Sequence, residues 1–148
     1  MLHLNLVEFT QGSFSLVANF TIQTGAKVAV IGPSGEGKST LLHGIAGFLK
    51  PTRGNIRWAG EPMPNHPGLR PISLLFQDHN LFPHLTVFNN VAIGLNPRLR
   101  LSAPQKKQVS LALQKVGLQD RNESYPSDLS GGQRGRIGLA RVLLRQRP

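Results

Sequence analysis

The sequence predicts an α/β fold in which β-strands, including those of a parallel sheet, carry a helical insertion. Short apolar runs of strand length occupy residues 1–31 and return at residues 54–60 and 72–76. A glycine-rich turn, residues 32–40, joins an apolar run to a helical pattern. Residues 79–128 then follow helical spacing. Strand, tight turn and helix in this order are typical of proteins whose parallel strands are buried between helices.

The N-terminal segment predicts strands that are half exposed. Leu2, Leu4 and Leu6 alternate with polar residues, as expected for a strand with one buried face. The β pattern continues at residues 14–17 and 20–22.

The glycine-rich turn has the spacing of a P-loop, G-x-x-x-x-G-K-[ST], from Gly32 to Thr40. The apolar run 28–31 before it predicts a strand buried on both faces. Apolar residues at helical spacing follow it and stop at Pro51: Leu41, Leu42, Ile45, Phe48 and Leu49. The flanking elements are therefore those that the motif requires.

A P-loop binds phosphate because glycines let the backbone wrap around the anion and the helix start adds its dipole. Lys38 is expected to reach the β- and γ-phosphates, and Ser39 to hold Mg²⁺ through its hydroxyl. Glu36 adds a carboxylate to this loop, which is tolerable if its side chain points to solvent. The predicted phosphate-binding residues are Gly32, Pro33, Ser34, Gly35, Glu36, Gly37, Lys38, Ser39 and Thr40.

The second half of the chain predicts two capped helices. Ser102 with Gln105 three positions later has the pattern of a capping box, and Gly117 is placed to end that helix. The residues of its apolar face are Val109, Ala112, Leu113 and Val116.

The turn Ser130-Gly131-Gly132-Gln133 precedes the last helix, whose apolar face holds Ile137, Ala140 and Leu144. Such a turn is either a second anion site at a positive helix end or a plain helix cap.

The chain has 148 residues, no cysteine and a net charge of +10. Residues 98–148 hold eleven Lys and Arg against three acidic residues. A basic half indicates a nucleic acid or anionic lipid partner, or a basic segment separated from an acidic one. No aromatic residues interleave with these charges as base stacking requires, so we predict no nucleic acid partner.

The order of these motifs resembles the ATP-binding subunit of ABC transporters. The resemblance implies a P-loop NTPase core, made of N-terminal strands plus a RecA-like parallel sheet, in one domain. Its parts are the core 1–78, a helical subdomain 79–128 and the signature motif with its helix, 129–148. In that family two subunits enclose ATP and Mg²⁺ between the P-loop of one and the signature motif of the other. Carried over by position, Lys38 and Gln77 are catalytic and Ser39 and Gln77 hold Mg²⁺. The implied contacts to the partner's ATP are Ser130, Gly131, Gly132 and Gln133.

Residues 70–97 narrow the resemblance to bacterial importers, and within them most to the ATPase of thiamine importers. Iron, polyamine and molybdate importers are the alternatives. The implied partners are a second copy of the chain, integral membrane permease subunits and, indirectly, a periplasmic solute-binding protein. The implied location is the cytoplasmic face of the bacterial inner membrane, as a peripheral subunit. His79 and His84 are interpreted as loop histidines facing the permease and not as metal ligands, because no third ligand has zinc-like spacing.

Three departures from the family pattern matter. Gln11-Gly12 stands where the family has an aromatic residue that stacks on adenine, so Phe9 and Phe14 are the candidate substitutes. Gly135 and Gly138 lie in the last helix, where each costs roughly 1 kcal/mol. The family's next strand, with an Asp for Mg²⁺ and a Glu for the attacking water, is absent from these residues. We therefore expect this chain alone to be poorly soluble and to hydrolyse little ATP. A catalytically inactive nucleotide-binding module is the alternative.

Overall fold

The computed structural model describes residues 1–76 and 80–145. The chain divides into two compact units, Met1–Ile72 and Ser73–Pro148. Within the described ranges, no helix has the length and apolar character needed to cross a membrane.

The first unit contains a four-stranded antiparallel sheet and one helix. Its strands are β1 (Leu2–Gln11), β2 (Phe14–Ile22), β3 (Arg53–Trp58) and β4 (Glu61–Pro62), in the spatial order β2-β1-β3-β4. The helix is α1 (Lys38–Ala46). Apolar side chains of the sheet and α1 form the core of this unit: Leu2, Leu4, Val7, Phe9, Ala18, Leu41, Ile56 and Met63. The sheet therefore supports the segment that carries the glycine-rich turn.

The predicted alternation of β1 is wrong at Leu6, which is 61% exposed. A bulge interrupts the pairing after Leu4, and the buried positions shift to Val7 and Phe9. Leu6 takes a φ of 45°, and Gly54 on β3 accommodates the bulge. An added Cβ at Gly54 would lie 2.5 Å from the Asn5 carbonyl oxygen. One extra residue in a strand exchanges its two faces, which periodicity alone does not reveal.

The predicted buried strands at residues 28–31 and 72–76 do not form in this structure. Val28, Val30 and Ile31 are exposed, Ile31 by 90%. A parallel strand is stabilised by hydrogen bonds to neighbouring strands, and neither segment pairs with a strand of the described sheet.

Helix α1 is seated on β1 through a glycine. The Phe9 ring packs against Gly44, where an added Cβ would lie 2.7 Å from the ring atom Cε2. The helix ends at Ala46 because Gly47 takes a φ of 90°. The predicted apolar face is only partly correct: Leu41 is buried, whereas Leu42 and Phe48 are exposed.

The described part of the second unit contains three helices, α2 (Val87–Ala92), α3 (Ala103–Lys115) and α4 (Gly131–Leu144). Ser102 and Ser130 cap α3 and α4 with complete capping boxes, as the sequence predicts. The predicted apolar faces of α3 and α4 are buried together in one core: Val109, Ala112, Leu113, Val116, Ile137, Ala140 and Leu144. The helical character of this half of the chain is therefore confirmed.

A buried amide organises the loop before α2. Asn90 is fully buried, and its Oδ1 accepts hydrogen bonds from the Phe82 backbone N–H at 2.8 Å and from Arg141 Nη2 at 3.2 Å. Its Nδ2 donates to the carbonyl oxygens of Phe82, Leu85 and Thr86 at 2.9, 2.9 and 3.1 Å. The Asn90 side chain therefore supplies hydrogen-bond partners to backbone N–H and C=O groups that an irregular loop would otherwise leave unpaired.

Candidate functional site

The glycine-rich turn has a backbone that requires glycine at two places. Gly35 and Gly37 take φ values of 89° and 90°, which side-chain-bearing residues rarely adopt. At Gly37 there is also no room, because an added Cβ would lie 2.7 Å from both Phe14 Cζ and Leu16 Cδ1. The turn therefore rests directly on β2, and its shape is fixed by the absence of side chains.

Lys38 stabilises this turn through hydrogen bonds to its backbone carbonyls. Its Nζ donates hydrogen bonds to the carbonyl oxygens of Gly32 at 2.8 Å and Pro33 at 2.5 Å. An ammonium group has three N–H donors, so one remains for an external oxygen. Lys38 thus orders the turn and can still offer charge and a donor to an anion.

The start of α1 is left without a side-chain cap. Gly37 stands at its N-cap and supplies no side-chain hydrogen bond, and no acidic residue lies in the first turn. In the described part of the chain, α2, α3 and α4 all receive a cap from Thr86, Ser102 or Ser130. The amides at the start of α1 therefore receive no acceptor from a side-chain cap, and they lie at the positive end of the helix dipole, where an anion is stabilised.

The remaining residues of the turn leave room for a ligand. Residues 32–36 and Ser39 are exposed, and Thr40 is half-buried. The Glu36 carboxylate folds towards Gly32, with Oε2 3.1 Å from the position that a Cβ there would take. The exposed hydroxyl of Ser39 is an oxygen ligand of the kind Mg²⁺ accepts. Gln77 and His79 lie outside the described residues, so Gln77 stays a prediction.

The second predicted site lies at the start of α4. Ser130 Oγ accepts from the Gln133 backbone N–H at 3.3 Å, and Gln133 Oε1 accepts from the Ser130 N–H at 2.9 Å. Gly131 and Gly132 are exposed, and an added Cβ at either would meet nothing within 4 Å. The capping box occupies part of the hydrogen-bonding capacity of Ser130 and Gln133. The hydroxyl hydrogen of Ser130 is left over for a ligand oxygen.

The two aromatic candidates for base stacking have different environments. Phe9 is fully buried in the core beneath α1, so it is excluded as a stacking platform. Phe14 is half-buried, and its ring lies against the P-loop at Gly37. Burial therefore reduces the two candidates to Phe14.

Two arginines, Arg70 and Arg141, bind backbone carbonyls that the sequence did not predict; Arg70 is buried and Arg141 is half-buried. Arg70 is 3% exposed and donates to backbone carbonyls near the end of α1. Arg141 donates to the carbonyl oxygens of Asn80 and Asn90, both at 2.9 Å. Burial lowers the pKa of both guanidinium groups from the ordinary value. Each remains charged at neutral pH because that ordinary value is so high. Arg70 follows a segment with Pro62, Pro64 and Pro67, which gives no signal for burial, and Arg141 lies outside the predicted apolar face of α4.

Comparison with known families accounts for the occurrence of the P-loop spacing and the Ser-Gly-Gly-Gln turn in one chain. A sequence model described as ABC transporter matches residues 17–148. This chain belongs to the ABC transporter family. The family resemblance inferred from the P-loop and the Ser-Gly-Gly-Gln turn is confirmed, and so is the α/β fold class.

Individual relatives are close in sequence. The chain is 54% identical to the thiamine import ATP-binding protein ThiQ of Cereibacter sphaeroides, over 100% of this chain and 64% of that protein. It is 52% identical to ThiQ of Jannaschia, over 100% of this chain and 65% of that protein. The ThiQ protein of Haemophilus influenzae is 46% identical over 100% of this chain. The chain spans about two thirds of the length of the first two relatives.

Solved structures share the fold. The ATP-binding cassette MJ0796, in a dimeric post-hydrolysis state bound to ADP and Pi, superposes with a TM-score of 0.82 and 30% identity. That match covers 100% of this chain and 71% of the other. CbiO1 of Clostridium perfringens, part of the transporter complex cbiONQ, also gives a TM-score of 0.82, at 28% identity over 99% of this chain and 62% of the other.

Proposed function

We propose that the turn of residues 32–40 binds the phosphates of ATP with Mg²⁺. The observation that carries this proposal is the uncapped start of α1, with Lys38 held at its edge by two loop carbonyls. Backbone amides and a fixed ammonium group together neutralise the phosphate charge without needing to reorganise.

The proposed roles within the site are those that the P-loop spacing and the family resemblance imply. Lys38 donates its remaining N–H to a β- or γ-phosphate oxygen, and Thr40 lies near the α-phosphate. Ser39 holds Mg²⁺ through its exposed hydroxyl, with Gln77 as the proposed second protein ligand. When bound, Mg²⁺ would add positive charge beside the phosphates. The chain's own residues supply binding and orientation for phosphoryl transfer.

We propose Phe14 as the residue that meets the base or ribose of the nucleotide. Its ring contacts Gly37, so it lies at the rim of the phosphate site and not beneath it. Stacking on an aromatic ring is tolerant of base identity, because every base presents a π-face. We therefore expect ATP and GTP to bind with similar affinity.

At the level of the whole protein we propose an energy-coupling subunit of a bacterial thiamine importer. The support is the identity of 54% to a thiamine import ATP-binding protein over the full chain. Two copies would enclose ATP between the P-loop of one and Ser130–Gln133 of the other. Permease subunits would be the membrane partners at the cytoplasmic face of the inner membrane, with a periplasmic solute-binding protein acting indirectly.

The experiment that tests the site compares ATP, GTP and inorganic tripolyphosphate by isothermal titration calorimetry. Tripolyphosphate keeps the phosphates and lacks the base. Phe14→Leu, which retains apolar contact with Gly37, should weaken the binding of ATP and leave the binding of tripolyphosphate unchanged. Lys38→Ala should weaken the binding of all three ligands. The matched control is Phe9→Leu, which removes a buried ring and should alter stability and not the ratio between ATP and tripolyphosphate. Equal binding of ATP by wild type and Lys38→Ala would refute the proposed site.

A further inference from the structure

Arg70 connects the end of α1 to a neighbouring loop. Its Nη1 donates to the carbonyl oxygens of Gly44 at 2.8 Å and Ile45 at 2.6 Å, and its Nε donates to the Pro64 carbonyl at 2.7 Å. The side chain is 3% exposed. A charged group buried to this degree is costly unless its donors are satisfied, so these bonds hold the guanidinium in one geometry.

The end of α1 is shaped to receive this guanidinium. Gly47 takes a φ of 90°, and an added Cβ would lie 2.6 Å from Arg70 Nε. The positive charge also faces the last carbonyls of the helix, where the dipole is negative. The contact therefore depends on Arg70 and on the glycine that makes room for it.

The opposite end of the same helix is the phosphate site. Helix α1 has nine residues and is about 13 Å long, so its two ends belong to one short helix held by continuous backbone hydrogen bonds. Gly44 rests on the Phe9 ring and Gly37 rests on Phe14 and Leu16, so small rotations of the helix change how its first turn is aimed. The hydrogen bonds of Arg70 at the C-terminal end of α1 thus fix the direction of the N-terminal amides and of Lys38.

We propose that Arg70 is a positioning residue for the P-loop, which acts through α1 and does not touch the nucleotide. This inference rests on the proposed binding of nucleotide phosphates at residues 32–40. It assigns a binding role to a side chain at the far end of the helix, within the same compact unit. Lysine cannot replace it, because an ammonium group lacks the planar fork that reaches several carbonyls.

The test measures the dissociation constants of ADP with Mg²⁺ and of tripolyphosphate, per folded molecule, for wild type and Arg70→Lys. Circular dichroism supplies the folded fraction. Loss of a residue that orients a metal ligand typically costs about tenfold or more in affinity. By analogy, Arg70→Lys should lose about tenfold in affinity for both ligands. Arg53→Lys is the matched control, because Arg53 lies in the same unit with an 84% exposed side chain. It should bind like wild type.

A second variant keeps the test decisive if Arg70→Lys fails to fold. Gly47→Ala retains Arg70 and displaces it, and it should move the ¹⁵N–¹H signals of residues 37–40 at the other end of α1. If Arg70 only supports the fold, the variants should lower stability and leave both the affinity per folded molecule and the signals of residues 37–40 unchanged. That result would overturn the inference. If wild type binds the ligands and Lys38→Ala does not, an unaltered affinity in Arg70→Lys contradicts the positioning role of Arg70 and leaves the proposed phosphate site standing. If wild type binds neither ligand, the proposed function fails as well.

Discussion

Replacing Asn90 by alanine should destabilise the helical unit strongly. The side chain is fully buried and receives the Phe82 backbone N–H and Arg141 Nη2, and it donates to three loop carbonyls. An amide has two N–H donors, so one of them is shared. About four hydrogen bonds are therefore lost, each with a net worth of roughly 1 kcal/mol.

The expected loss is about 3–4 kcal/mol in the free energy of unfolding. Groups left unpaired inside the protein push the value up, whereas the better helix propensity of alanine lowers it by about 0.5 kcal/mol. Asn89→Ala is the matched control, because Asn89 is the preceding residue of the same helix and is only half-buried. The propensity gain is the same in both variants, so the difference between them isolates the buried network.

Urea unfolding followed by far-ultraviolet circular dichroism measures both variants. Far-ultraviolet dichroism is suitable because α2, α3 and α4 all belong to the second unit. We expect Asn90→Ala to be less stable than Asn89→Ala by at least 2 kcal/mol. A difference below about 1 kcal/mol would refute the view that Asn90 holds the loop of residues 80–86 in place.

Two further predictions concern local backbone features. Gly54→Ala should lower the free energy of unfolding by about 2–3 kcal/mol, because the added Cβ overlaps a carbonyl across the bulge at a residue with a positive φ. Gly60 also has a positive φ but has open space around it, so Gly60→Ala should cost about 1 kcal/mol. Thermal unfolding of the two variants checks the order, and equal losses would contradict the steric argument. Ser130→Ala and Ser102→Ala should each cost about 1 kcal/mol through loss of a capping box. Urea unfolding measures both, and an unchanged stability in Ser130→Ala would show that its capping role is negligible.

Local rules explain which helices were predictable. The capping pairs Ser102–Gln105 and Ser130–Gln133 act over three residues, so the sequence pattern contains the whole interaction. The buried faces of α3 and α4 follow from spacing along a single helix. The motif from Gly32 to Thr40 is likewise local, and its glycines have the backbone angles that the motif suggests.

Non-local contacts explain what was missed. Leu6 fitted the alternation of β1, but the bulge that turns it outward depends on Gly54 of another strand. Residues 28–31 have the composition of a buried strand, and composition does not supply the neighbouring strand that would bury them. Apart from the Pro64 carbonyl, which lies six positions before Arg70, Arg70 and Arg141 bind carbonyls 25 to 61 positions away along the chain. No periodic pattern indicates such partners.

The proposed function requires that nucleotide phosphates bind at the uncapped start of α1. The most direct measurement is the ¹⁵N–¹H spectrum of the 148-residue chain during titration with ADP and Mg²⁺. We predict that the largest shifts occur at the amides of residues 32–40 and at Phe14, and that Lys38→Ala abolishes them. Saturable binding whose shifts lie elsewhere, or persist in Lys38→Ala, would contradict the account.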